Sequence, residues 1–153
     1  MVSMEVKVET LGEIFRVGRG KKNSHSHLNI RGIKRLSETE FELDLTYTST
    51  ISVKLPAVLM EELERIAKAE GITKSDLIRD WIHAFLALTP AEQNIIITRY
   101  NKALGSEVKI LTIRLVYEVL KEINEIARRN NVSRSEVLRS IMVFKSEMYE
   151  EVK

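Results

Sequence analysis

The chain has 153 residues, of which 44% are hydrophobic and 30% are charged, and its formal net charge is only +2. This length suffices for one domain, or two small ones, with a hydrophobic core. Because cysteine is absent, disulfides, thiolate zinc sites and cysteine nucleophiles are excluded. The sequence contains neither an apolar run long enough for a membrane span nor the apolar stretch of a signal peptide. We therefore expect a cytoplasmic protein with no membrane partner.

The N-terminal third sorts its charges into a basic block and an acidic block. Residues 16–35 contain no acidic residue, whereas residues 37–44 contain four acidic residues and no basic one. A basic run of this kind is either a solvated loop or a binding arm for nucleic acid. The residues of this predicted auxiliary basic arm are Arg16, Arg19, Lys21, Lys22, Arg31, Lys34 and Arg35.

Residues 1–48 are predicted to form a small β element that carries a basic loop at residues 18–26. Strands are expected at residues 4–10 and 13–17. Residues 29–36 and 40–47 predict a hairpin, since apolar and polar residues alternate in the second of these segments. Residues 49–153 are predicted to form a second domain.

The second domain contains an internal repeat at an offset of 60 residues. Residues 50–82 align without a gap with residues 110–142, and the segment TKSDLIR matches SRSEVLR in chemistry at every position. A duplication is the simplest explanation. We define copy one as residues 50–86 and copy two as residues 108–145.

Each copy has the pattern of a strand followed by two helices. Apolar and polar residues alternate through residues 50–55 and 110–115, as in a half-buried strand. The predicted core face of the first helices contains Leu59, Leu63, Ile66 and Ala67 in copy one, and Val119, Ile123, Ile126 and Ala127 in copy two. Spacings such as Glu61–Arg65 and Glu64–Lys68 favour ion pairs on the first helix and are compatible with a thermophilic source.

The turn to the second helix carries the same signals in both copies. Gly71 and Asn131 are suited to the left-handed conformation that ends a helix. Thr73 with Asp76, and Ser133 with Glu136, have the spacing of a capping box. The predicted core residues of the second helices are Leu77, Ile78, Trp81, Ile82 and Phe85, and Val137, Leu138, Ile141 and Met142, with Phe144 or the stem of Lys145.

Residues 87–107 link the two copies. Thr89, Pro90 and Glu92 have the pattern of a helix start, and Gly105 that of a helix end. A helix over residues 90–104 is predicted, with Ile96, Tyr100 and Leu104 packing on the repeat.

The strand, the glycine-terminated helix and the motif that opens the second helix together resemble the ribbon-helix-helix DNA-binding family, to which Arc-like and MetJ-like repressors belong. The resemblance covers residues 50–86 and about 108–145. It implies an α+β fold, mainly α, in which the two strands of one chain pair as an antiparallel ribbon and form a tandem pseudo-dimer. Backbone chemistry agrees, because a lone strand leaves its peptide groups without partners.

The resemblance implies that double-stranded DNA is the partner and that the outward strand residues read bases in the major groove. These residues are Thr50, Ser52, Lys54, Ile110, Thr112 and Arg114. Lysine and arginine can donate hydrogen bonds to guanine, whereas Ile110 can contact only an apolar group such as the thymine methyl. The other interpretation is a polar strand face that is merely solvated. Since the copies differ, the target site is expected to be an imperfect palindrome or non-palindromic.

The starts of the second helices are predicted to bind DNA phosphates through free N–H groups and the positive end of the helix dipole. The residues there are Thr73, Lys74, Ser75, Ser133, Arg134 and Ser135. Ordinary capping is compatible with this role.

The basic loop would add phosphate or minor-groove contacts, or alternatively serve oligomerisation. His25, His27 and His83 form no credible metal site, and no cofactor is expected.

The leading functional hypothesis is a sequence-specific transcription regulator, in particular a repressor, acting as a monomeric pseudo-dimer or a homodimer of it. The alternatives are an architectural protein that coats DNA and an antitoxin-like interaction protein. An enzyme is not expected, because the sequence has no phosphate-binding loop or nucleophile–base arrangement.

Overall fold

A computed structural model of the chain describes residues 2–7, 26–35 and 40–152. It confirms an α+β fold rich in helix. The elements in chain order are strands β1 (Val2–Lys7), β2 (Ser26–Arg35) and β3 (Glu40–Pro56), helices α1 (Ala57–Glu70), α2 (Lys74–Leu86) and α3 (Pro90–Tyr100), strand β4 (Val108–Val116), and helices α4 (Tyr117–Arg129) and α5 (Arg134–Val152). In the described part of the chain, no helix is long and apolar enough to cross a membrane.

The chain divides into two compact units. Unit 1 comprises residues 1–51 and 114–120, and unit 2 comprises residues 52–113 and 121–153. Strand β3 passes residue 48 without interruption, and the predicted division between residues 1–48 and 49–153 stays a prediction.

In unit 1, β1 and β2 each pair with β3 in antiparallel fashion. Val2 is opposite Leu45 and Ser26 is opposite Ser49, and the register of β2 shifts between Ile30 and Gly32. The predicted hairpin is therefore confirmed, with β2 starting at Ser26 instead of residue 29. The predicted strand at residues 13–17 and residues 18–25 of the predicted basic loop lie outside the described residues.

The helical faces of unit 2 follow the predicted apolar spacing. All the predicted core residues of α1 are buried, and Val137, Leu138, Ile141 and Met142 of α5 have no exposed surface. Trp81 is only partly buried and packs, together with Tyr149, against Ile66, Ala67 and Leu77. Helix α5 packs against α1, α2 and α3, so its apolar face meets helices of copy one and of the linker.

Both turns between helices have the predicted conformation. Gly71 ends α1 with φ 71°, and its N–H donates to the carbonyls of the last helical turn. Asn131 has φ 55°, at the equivalent position of copy two. The predicted core residue Val119 is only half-buried, and the neighbouring Leu120 is buried instead.

The linker helix is shorter than predicted. Thr89 Oγ1 accepts the N–H of Glu92 (3.2 Å) at its start, but the helix ends at Tyr100 and not at residue 104. Asn101 adopts an extended backbone (φ −83°, ψ 93°), and its side chain donates to Glu136. Ile96 is buried as predicted, and the ring of Tyr100 contacts Phe144 edge-on at 5.1 Å.

The ion pairs of α1 differ from those predicted by spacing. Arg65 pairs with Glu62 (2.7 Å) and with Glu150 of α5 instead of Glu61. Glu64 pairs with Lys74 (3.2 Å) instead of Lys68. Two of these three pairs join α1 to another helix, which i,i+4 spacing within one helix does not reveal.

Candidate nucleic-acid interface

Strands β3 and β4 pair with each other, and their contacts fix an antiparallel register. In unit 2, Ala57 N–H donates to the carbonyl of Glu107 (3.0 Å), and Ser52 Oγ lies 3.4 Å from Thr112 Oγ1. Between these two contacts, β3 goes back five residues, from Ala57 to Ser52, while β4 advances five residues, from Glu107 to Thr112. The two strands therefore run in opposite directions, as in antiparallel pairing. In unit 1, the ring of Tyr47 contacts that of Tyr117 edge-on at 5.6 Å, in the same register.

Equivalent positions of the repeat meet at the middle of this pairing. Ser52 and Thr112 differ by the repeat offset of 60 residues and lie opposite each other. The register then places Lys54 opposite Ile110 in unit 2 and Thr50 opposite Arg114 in unit 1. This is the arrangement that a two-fold relation between the two copies produces.

Alternate residues of the two strands face opposite sides. Ile51, Val53 and Leu55 of β3 and Leu111, Ile113 and Leu115 of β4 are each 5% exposed or less. Of the six predicted base-reading residues, Ser52, Lys54, Ile110, Thr112 and Arg114 are exposed, and Thr50 is half-buried. The strands therefore present a row of side chains, mostly polar, on the side away from the core.

Arg139 holds the backbone of the ribbon beside Lys54. Its Nη1 donates to the Lys54 carbonyl (3.2 Å), and its buried Nε has no hydrogen-bond partner among the described residues. This positioning residue was missed by sequence reasoning. The available signal was the match between Arg79 and Arg139, which the repeat places at equivalent positions.

The start of α2 has backbone donors that lack partners within the helix. Thr73 Oγ1 accepts the N–H of Asp76 (3.1 Å), whose carboxylate accepts from Arg79 (3.2 Å). The N–H groups of Lys74 and Ser75 belong to the first turn and have no partner within the helix. The Lys74 ammonium itself is directed to Glu64 of α1.

The start of α5 has a complete capping box. Ser133 N–H donates to the Glu136 carboxylate (2.6 Å), and Glu136 N–H donates to Ser133 Oγ (3.1 Å). Asn101 adds a side-chain hydrogen bond to the same carboxylate (3.3 Å). The Ser133 N–H, followed by Asn101 and the Ser133 hydroxyl, holds the pKa of Glu136 below its usual value of 4.5. Ser133 is exposed, and Arg134 and Ser135 are half-buried.

The lowered pKa of Glu136 predicts acid-sensitive stability. A carboxylate whose pKa is depressed by folding stabilises the fold above its unfolded pKa, and the contribution is lost as the pH falls through the folded pKa. We expect Glu136→Gln to lower the melting temperature at pH 7 and the difference from the parent chain to shrink on acidification. Thermal unfolding from pH 7 to pH 3 measures this.

Glu151→Gln, near the C-terminal end of α5, is the matched control because it removes the same charge far from the helix start. A difference for Glu136→Gln that is equally large at pH 7 and pH 3 would contradict a role for the ionised carboxylate.

The predicted auxiliary arm is only partly described. Arg31, Lys34 and Arg35 lie in β2, whereas Arg16, Arg19, Lys21 and Lys22 lie outside the described residues. Of the histidines, His27 lies in β2, His83 is exposed on α2, and His25 is outside the described part. Within that part, no group of three or more histidine or acidic residues is placed to hold a metal ion.

The sequence model of the ribbon-helix-helix proteins of the copG family matches residues 49–89. This range extends from the C-terminal part of β3 through α1 and α2, and it supports the ribbon-helix-helix resemblance of copy one. Members of this family are typically DNA-binding transcription regulators. No curated protein and no solved structure matches the chain.

Proposed function

We propose that the chain is a sequence-specific transcription regulator that inserts the β3–β4 ribbon into the major groove of double-stranded DNA. The observation that carries this proposal is the exposed row of Ser52, Lys54 and Thr112 on a two-stranded antiparallel ribbon. A ribbon of this width fits the major groove, where the lysine donates to guanine and the hydroxyl groups bond several base edges.

We also propose that copies one and two form a pseudo-dimer within one chain. The opposition of Ser52 and Thr112 supports it, since symmetric pairing brings equivalent residues together at the centre. The packing of α5 against α1 and α2 supports it further. One chain would then supply the complete ribbon, and a homodimer of pseudo-dimers would occupy a longer site.

The helix starts would anchor the ribbon on the DNA backbone. Lys74 and Ser75, and the equivalent Arg134 and Ser135, are half-buried first-turn residues that offer N–H groups at positive helix ends, where phosphates bind. Each of these ends also carries a carboxylate in its first turn, Asp76 in copy one and Glu136 in copy two, so the two helix starts are alike in this respect.

Repression is the proposed outcome, because a protein seated in the major groove over a promoter excludes other proteins from the same bases. No catalytic activity is proposed for the chain. A DNA-coating protein would differ from a sequence-specific regulator by binding DNA tightly without sequence preference.

Selection of bound sequences from a random DNA library tests the proposal. We expect one site to be enriched, with two unlike halves, because Thr50 and Lys54 of copy one correspond to Ile110 and Arg114 of copy two. A perfect palindrome would contradict the pseudo-dimer and indicate pairing of strands between chains. Tight binding without enrichment would indicate a coating protein, and absence of DNA binding would refute the proposal.

A further inference from the structure

The exposed side of β4 includes apolar side chains where a solvated strand would carry polar ones. Ile110 is 64% exposed and Val108, two residues earlier on the same side, is 39% exposed. Single exposed apolar residues are ordinary on protein surfaces. Ile110, however, lies in the row of predicted base-reading residues, and its equivalent in copy one is Thr50.

The strand register places Ile110 beside the Lys54 side chain. Ala57 and Glu107 form a hydrogen-bonded pair. Hydrogen-bonded and non-hydrogen-bonded pairs alternate along antiparallel strands, so Lys54 and Ile110, three positions away, form a non-hydrogen-bonded pair. Side chains lie closest to each other in pairs of this second kind. Their Cβ atoms are then about 5 Å apart. This separation is similar to the spacing of about 3.4 Å between successive base pairs, so the two side chains match neighbouring base pairs in scale.

We propose that Ile110 is a specificity-determining residue that contacts the C5-methyl group of a thymine next to the guanine bound by Lys54. This inference rests on the proposed function. The thymine methyl is the apolar group that the base pairs present in the major groove, and an exposed isoleucine side chain on the ribbon is complementary to it. The equivalent Thr50 is half-buried and carries only one methyl group beside its hydroxyl, whereas Ile110 is exposed and entirely apolar. We therefore expect the stronger dependence on thymine in the half of the DNA site that Ile110 contacts.

Deoxyuridine substitution tests the contact, because it removes only the methyl group. The full chain is titrated by fluorescence anisotropy against the site obtained by selection, with each thymine replaced in turn. We expect one replacement, in one half of the site, to raise the Kd about fourfold, as loss of one buried methyl-sized group predicts. Ile110→Ser, which leaves no methyl group on the side chain, should bind both DNAs with equal Kd, and Ile110→Val should keep the preference for thymine.

Val58→Ser is the matched control, because Val58 of α1 is 71% exposed and outside the ribbon. It should leave the ratio of the two Kd values unchanged. Circular dichroism verifies that each variant is folded. If every deoxyuridine site binds like the parent site while scrambled DNA binds more weakly, the inference about Ile110 is overturned and the proposed function stands. Equal binding to selected and scrambled DNA would overturn both.

Discussion

Replacing Lys54 and Arg114 together by alanine is expected to abolish sequence-specific DNA binding and to leave the fold intact. Each side chain is exposed on its strand, and truncating an exposed residue usually changes the free energy of unfolding by less than about 0.5 kcal/mol. A specific contact to guanine contributes about 1–3 kcal/mol of discrimination. Loss of both should weaken binding to the selected site by roughly 10²- to 10⁴-fold, as measured by gel shift against scrambled DNA.

The control for this variant removes two positive charges from other surfaces. Lys68 of α1 and Lys121 of α4 are exposed, and their joint replacement by alanine changes the net charge by the same amount. We expect the control to retain its preference for the selected site. Equal losses in both double variants would mean that binding depends on general charge. Specific binding that survives the loss of Lys54 and Arg114 would refute the ribbon as the reader.

The local features of unit 2 were predictable because their signals are local. Alternation of period two identified the inward residues of both ribbon strands, and the spacing of Ser133 and Glu136 identified a capping box. Gly71 and Asn131 were assigned a left-handed backbone from residue type alone, which their φ values confirm. Each of these signals depends on residues at most a few positions apart.

The contacts between distant segments around the candidate site could not be predicted from local sequence patterns. Arg139 and Lys54 are 85 residues apart in sequence, and Asn101 and Glu136 are 35 apart. Hydrogen bonds between such distant segments depend on how the helices pack and not on spacing. The same cause explains why Arg65 pairs with Glu150 of another helix and why Lys74, assigned to phosphate, also binds Glu64.

Leu138→Ala is expected to cause a large loss of stability, as is Ile78→Ala at the equivalent position of copy one. Leu138 and the equivalent Ile78 have no exposed surface, and truncation of such residues to alanine costs about 2–5 kcal/mol of the free energy of unfolding. Because a whole domain is stabilised by only about 5–15 kcal/mol, either change should lower the melting temperature clearly. Ile95→Ala is the control, since Ile95 is 58% exposed on α3.

The comparison of Leu138→Ala with Ile78→Ala tests whether the two copies unfold together. Helix α5 of copy two packs against α1 and α2 of copy one, so neither copy completes its core alone. We therefore expect a single calorimetric transition, shifted by both variants to a similar extent. If two transitions were seen and each variant shifted only one of them, the copies would not share a core. That result would contradict the pseudo-dimer. A shared core would also make ribbon pairing intramolecular, so the melting temperature should not depend on protein concentration.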